Sequence, residues 1–190
     1  MEVVPLKNSL LHSVSYLIDN YIVDCGDGEV ILEKAKEHRT EIRGIFLTHC
    51  HQDHIYGLPK VMERFPGAKI YCSEMTHKGL ADDSLNLSYI MSEFSFPFIY
   101  NDNVVELTEG IHQIDDMTVE MILCNGHSND CQSYIIDGNL FTGDAYIPFA
   151  KVFTKWPTSD KALAIESEQK LLQLANNRGL IIRPGHWQQI

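Results

Sequence analysis

The sequence has no apolar run near the ~20 residues of a bilayer span, and no internal repeat, low-complexity segment or linker. No membrane-spanning helix, no membrane partner and no repeat array is therefore expected, and the expectation is one domain over residues 1–190, large enough to bury its own core. Residues 1–7 lack the basic segment and following apolar segment of a secretory leader, so a cytoplasmic location is expected. The five cysteines, at positions 25, 50, 72, 124 and 131, are odd in number and show no CxxC spacing. Reduced, buried thiols fit that pattern better than a disulfide framework. Positive charge is scarce: 15 Lys and Arg against 26 Asp and Glu leave a formal charge of −11. A field of that sign repels polyphosphate chains, so no nucleic-acid partner is expected. A small-molecule substrate is compatible with it, because a bound metal reverses the potential locally.

What the sequence does contain is concentrated in one stretch, Thr48-His49-Cys50-His51-Gln52-Asp53-His54. It follows the apolar run Ile45-Phe46-Leu47 and precedes a helix-like pattern, so a strand ends in a loop dense with metal-ligating side chains. Upstream, residues 13–25 read as two short strands around a turn at Asp19-Asn20, and residues 29–38 as a helix. Residues 42–47 are a strand, and Ile55, Leu58, Val61, Met62 and Phe65 mark one helix that Pro66-Gly67 stops. Residues 68–72 form a strand, and Ser73 or Thr76 caps a short helix toward Ala81. Residues 82–103 show no period and read as a long loop with a little helix.

The second half changes to successive strands at 104–107, 111–114, 118–124, 132–136 and 139–141, with Asp137-Gly138 a strong hairpin signal. Residues 159–175 form a helix capped by Ser159 or Asp160, and residues 180–182 a last strand. Both halves thus carry strands followed by helix, an α/β pattern. Three of these strands run into a glycine turn and then a ligand-type residue: Gly126-His127, Gly143-Asp144 and Gly185-His186. Glycine lets the backbone turn sharply enough for a short side chain to reach a metal. With His49, His51, Asp53 and His54 the set comprises five histidines and two aspartates, which suits two borderline divalent cations sharing a carboxylate.

His49-x-His51-x-Asp53-His54, followed in order by His127, Asp144 and His186, resembles the metallo-β-lactamase superfamily over nearly the whole chain, from Asp24 to His186. The resemblance implies an αββα sandwich, two mixed sheets flanked by helices, with metals at one edge. It places a first metal on His49, His51 and His127 and a second on Asp53, His54 and His186, with Asp144 bridging and Asp24 supporting the ligands from behind. The cofactors implied are two divalent ions, zinc first, with iron or manganese as alternatives. Two such ions, about 3.5–4 Å apart, would share a hydroxide that attacks a carbonyl or phosphoryl centre. Asp53 would orient that nucleophile, and Tyr146, two residues past Asp144, is a candidate hydrogen-bond donor to the oxyanion or leaving group. Cys50, between two ligands, is expected to point away from them, and His12, His38, His77 and His112 to lie outside the site.

Within the superfamily the pattern is closest to short members resembling glyoxalase II, a thioester hydrolase. Four residues follow His186, too few for the helical domain that holds glutathione in that enzyme. The Gly-Arg-x-Asp run of that group is replaced here by Phe149-Ala150-Lys151-Val152-Phe153. The expected activity is therefore cleavage of a small-molecule thioester or ester without glutathione specificity. Lactone hydrolysis, with the aromatics of residues 89–100 lining an apolar pocket, persulfide oxidation on a single iron, and a non-catalytic metal-binding role are the alternatives.

Overall fold

Alternation along the strands dictates the layers. In β2 (Val14–Ile18) and β3 (Tyr21–Val23), Val14, Tyr16, Ile18, Tyr21 and Val23 face one way and Leu17 and Ile22 the other, and all are buried. A strand buried on both faces has to be covered on both. The computed structural model describes residues 1–90 and 98–187, and shows how this is done. One sheet has six strands in the order β1 (Val3–Lys7), β2, β3, β4 (Gly44–Phe46), β5 (Lys69–Cys72) and β6 (Val104–Glu106). Its first three strands are antiparallel and its last four run parallel. The other sheet has five strands in the order β11 (Ile181–Pro184), β10 (Asn139–Gly143), β9 (Gln132–Ile136), β8 (Met117–Leu123) and β7 (Gly110–Ile114). Only the β10–β11 pair in it is parallel.

Three apolar clusters separate four layers. The first includes Ile31, Leu58, Val61 and Leu80 and packs α1 (Gly28–Glu37), α3 (Leu58–Arg64) and α4 (Glu74–Leu80) on the six-stranded sheet. The second, built around Phe46, Tyr134 and Phe141, lies between the sheets. The third joins Ile122, Ile135 and Leu140 to Leu171 and Ala175 of α5 (Lys161–Arg178). This is the αββα sandwich that the sequence motifs implied.

Local chemistry explains most element ends. The Asp27 carboxylate accepts from the amides of Glu29 and Val30 and starts α1, Ser73 Oγ accepts from Thr76 N and starts α4, and Asp160 accepts from Ala162 N and Leu163 N and starts α5. Asp137 and Gly138, both at positive φ, make the β9–β10 hairpin turn.

One expectation needed correction, and one strand went unread. The helix expected through 55–65 is split into α2 (Gln52–Ile55) and α3 at Gly57, where a Cβ would stand 2.5 Å from Gly28 N, so α1 packs directly against this break. Residues 3–7, read only as a non-leader, form edge strand β1, in which Leu6 alone is fully buried and Pro5 sits where no ladder donor is required. In the 82–103 loop, single 3₁₀ turns occur at Ser88–Ile90 and Asn101–Asn103. Residues 91–97, part of the aromatic stretch expected to line a pocket, lie outside the described residues.

Candidate metal centre

The Thr48–His54 motif leaves the end of β4 at the edge where the two sheets meet. Asp24, just past β3, fixes its path. This residue adopts φ 59°, an uncommon conformation for a non-glycine, and is buried. Its Oδ1 accepts from Thr48 N at 2.8 Å and its Oδ2 from Thr48 Oγ1 at 2.9 Å, while His54 Nδ1 lies 2.9 Å from Oδ2. The opposing sheet delivers the other ligands through its turns. Gly143, at φ 50°, ends β10, and a Cβ there would stand 2.4 Å from Thr48 Oγ1. Gly185 needs no positive φ; it is required by space, since a Cβ there would lie 2.4 Å from Asp144 Oδ1 and 2.9 Å from His54 Cε1.

All seven ligand-type residues named from the sequence come together and are buried. They form three overlapping groups whose donor atoms lie within 4.8 Å of one another: His49, His51 and His127; His49, His54 and Asp144; and Asp53, His54 and His186. His51 Nδ1 faces His127 Nε2 at 3.0 Å. His186 Nε2 lies 3.1 Å from Asp144 Oδ2 and 3.4 Å from Asp53 Oδ2, and His54 Nε2 lies 3.3 Å from Asp144 Oδ1.

The outer ring nitrogens are occupied. Besides His54 on Asp24, His49 Nδ1 lies 3.1 Å from Thr48 Oγ1, His127 Nδ1 donates to Phe153 O at 2.9 Å, and His186 Nδ1 donates to Leu11 O at 2.9 Å. Such contacts fix the ring so that Nε2 is turned inward as the ligating atom. Among the described residues, His49 Nε2, His51 Nε2, His54 Nε2 and Asp144 Oδ1 are buried without a hydrogen-bond partner. Buried polar atoms are normally paired, and the orphans of His49, His54 and Asp144, which form one of the three groups and come from both sheets, fit a bound cation.

The electrostatics divide the cluster. Burial, assisted by neighbouring imidazoles, holds His49 and His51 well below the ordinary histidine value and hence neutral. Burial also disfavours charge on His54 and His186, but the carboxylates overcome it: Asp53, Asp144 and Asp24 raise His54, and Asp144 raises His186. Burial raises Asp53, whereas in Asp144 the opposing pull of His186 and His54 wins and keeps the carboxyl ionised.

A cavity of about 520 Å³ opens onto the cluster. His51, Asp53, His127, Asp144 and His186 line its floor, and Leu11, Leu87, Ile90, Ile147, Phe149, Phe153 and Trp156 its walls, with Lys151 the single lysine or arginine among the lining residues. Tyr146 is not among them. The Thr142 hydroxyl donates to Tyr146 O and closes the turn after β10, and the half-buried ring packs against the cluster beneath α5. Cys50 packs in the helix-side core beside Gly79, as expected, and Cys131 packs under α5.

Three contributors went unrecognised in the sequence. Asp130 accepts from Cys50 N and Ser128 Oγ and so ties the first ligand loop to the His127 turn. Thr48 links Asp24 to His49, and Gln52 lines the cavity between two ligands. Thr48 and Gln52 each adjoin a ligand in sequence, the one signal that could have singled them out.

A four-layer αββα sandwich that gathers histidines and carboxylates from both sheets at one edge defines the metallo-β-lactamase class of fold. The chain belongs to the metallo-beta-lactamase superfamily, whose family model matches residues 9–186. It is 30% identical over 129 residues to a hydroxyacylglutathione hydrolase of Aliivibrio fischeri, an alignment covering 67% of this chain and 43% of that protein. The chain thus spans less than half the length of that relative. Among solved structures it resembles the BLEG-1 B3 metallo-beta-lactamase with a TM-score of 0.83 at 22% identity, covering 98% of this chain and 92% of that one. It also resembles TTHA1623, solved in a di-iron-bound form, with a TM-score of 0.80 at 21% identity, covering 98% and 93%.

Proposed function

We propose that this protein is a metal-dependent hydrolase of small-molecule thioesters or esters. The observation that carries the reading is the convergence of the seven ligand-type side chains on the floor of an apolar-walled cavity. His49, His51 and His127 would hold one divalent ion, Asp53, His54 and His186 a second, and Asp144 would lie between them. Zinc suits a donor set of imidazole and carboxylate; the di-iron form of TTHA1623 makes iron the principal competitor. When bound, a pair of such ions supplies Lewis acidity and a nucleophilic water near neutral pH.

The chain's own residues do the rest. The Asp53 carboxylate accepts a hydrogen bond from the attacking water and orients it. Asp24 and the carbonyls of Phe153 and Leu11 keep the protons of His54, His127 and His186 on Nδ1, away from the reacting centre. Leu87, Ile147, Phe149, Phe153 and Trp156 exclude bulk water and hold the apolar part of the substrate, and Lys151 offers a positive charge to an anionic end. A lactone places the same carbonyl in the same position and belongs to the same reading.

The test combines metal analysis with a hydrolysis panel of thioester, ester, lactone, β-lactam and phosphodiester. About two ions per chain, turnover of a thioester, ester or lactone, and its loss on chelation or in folded Asp53→Ala are expected. One iron per chain with oxygen consumption on a persulfide would replace this reading by sulfur oxidation. Full metal loading with no turnover of any panel member would leave a metal-binding domain.

A further inference from the structure

Two of the ligand-type residues, Asp53 and His54, sit in α2, a helix of four residues. In a longer helix the amide of Gly57 would close onto Asp53 O. Here Gly57 N goes to Cys25 O at 2.7 Å, and the Asp53 carbonyl is left to a donor from outside the helix. That donor is Ser13, whose hydroxyl donates to Asp53 O at 2.7 Å. The carbonyl of His54 is met in the same way, by Cys25 N at 2.7 Å.

Ser13 is fully buried and ends the loop that joins β1 to β2. Its hydroxyl is oriented from behind. Asn8 Nδ2 donates to Ser13 Oγ at 2.9 Å and to Ser15 Oγ at 3.2 Å, so the Ser13 proton is turned toward Asp53 O, with Leu10 O the longer alternative at 3.3 Å. The Ser13 backbone meanwhile pairs with His186 as an antiparallel bridge. Val14 N to Gly185 O at 2.7 Å and Trp187 N to His12 O at 3.2 Å flank that bridge. In the same loop Leu11 and His12 stand at φ 47° and 58°, uncommon for non-glycines, and Leu11 O receives His186 Nδ1. Backbone of this kind persists where its surroundings over-determine it, and here those surroundings are the turns that carry Asp53 and His186.

The other ligands are held by other groups. Thr48 serves His49, Phe153 O serves His127, and Asp130 ties Cys50 N to the His127 turn. Asp24 serves both sets, through His54 and through Thr48. Among the described residues, no hydrogen bond joins Ser13 to His49, His51 or His127. We propose that Ser13 is a positioning residue for one metal ion only. It sets the spacing of Asp53 and His186, and with it the affinity for the ion that these two share with His54. The inference rests on two ions binding as proposed above. Groups that orient metal ligands from behind are worth about 10–100-fold in affinity.

Zinc binding to the full chain tests this without any turnover. Chelator competition on Ser13→Ala should show one zinc bound as in the wild type and the other weakened about tenfold or more. In the cobalt-loaded variant, the visible bands of one ion should persist unaltered while those of the other weaken. Ser13→Thr, which keeps the hydroxyl, should restore both ions. Ser9→Ala, in the same loop but bonded to Asp27, should leave both unchanged. Circular dichroism confirms folding; if Ser13→Ala does not fold, Ser13→Cys, with a weak donor in nearly the same volume, carries the same expectation. Both ions bound as in the wild type, or both weakened alike, would overturn the proposal and leave the two-metal reading standing. A wild type that binds one ion or none would remove that reading and this inference with it.

Discussion

His54 shows how much a single side chain carries at this edge. It shares atoms with two of the three ligand groups, leans on Asp24 from behind, and faces Asp53 and Asp144 in front. Those carboxylates raise its pKa, so in metal-free protein it stays protonated to higher pH than a free imidazole. The sign follows: its ion pairs stabilise the metal-free fold fully below the ordinary histidine value and lose that contribution as pH rises through the raised one. A cation needs the lone pair, so binding there must displace a proton, whereas His49 and His51 are already neutral. If two ions bind as proposed, metal titrations from pH 8 down to 5.5 should therefore lose the one at Asp53, His54 and His186 first; simultaneous loss of both would contradict this. Gly185→Ala should act on the same ion by space alone, pushing Asp144 and His54 apart. Metal analysis should give about one ion per folded chain, and two would show that the turn yields. These ligands were legible because the sequence states residue type and spacing. Of the partners that orient them, Asp24 was legible too, whereas the backbone carbonyls of Phe153 and Leu11 were not, since every residue possesses one.

Among the elements, α5 was read almost to its ends because it follows helix chemistry closely: Asp160 caps its first turn and Gly179, at φ 63°, terminates it. Asp160→Ala should cost about 1 kcal/mol, lowering the melting temperature by about 2–4 °C in a domain of this size. A thermal melt that does not move would mean the helix N-terminus is held by the Asp160 N to Gly126 O bond rather than by the carboxylate. The α2–α3 break was not legible. There Gly57 N leaves the helical ladder for Cys25 O at 2.7 Å, close against Gly28, a contact between distant segments that no local pattern records. Strand β1 escaped for a different reason: at a sheet edge only Leu6 is fully buried, so the alternation that marks a strand is nearly absent.

For the molecule as a whole, the layer order became legible only when the ligands were taken together, because hydrophobic alternation specifies buried strands without saying which sheet they join. The five thiols fit this scale. Every one is buried, spread over the two clusters on the helix sides of the sheets, and burial raises each pKa, to about 12 for Cys72 and Cys124. Native protein at pH 8 should be inert to iodoacetamide, with all five sites reacting together after denaturation; labelling of one cysteine in the native state would locate a local opening. That readout complements spectroscopy, because it follows the helix-side cores and not the layer between the sheets.

The distribution of the ligands has one more consequence. His49, His51, Asp53 and His54 come from the loop and short helix α2 after one sheet, and His127, Asp144 and His186 from turns of the other. Any ion held by members of both sets acts as a clasp across the seam, joining parts of the chain that are far apart in sequence. Such a clasp is absent from the unfolded chain, so metal affinity and fold stability are linked quantities. Chelation should therefore loosen the seam before it disturbs the layers beneath α1 and α5. Hydrogen exchange would register this as lost protection at Asp24, Thr48 and Val14, whose amides bond to Phe46 O, the Asp24 carboxylate and Gly185 O, while protection along α5 persists.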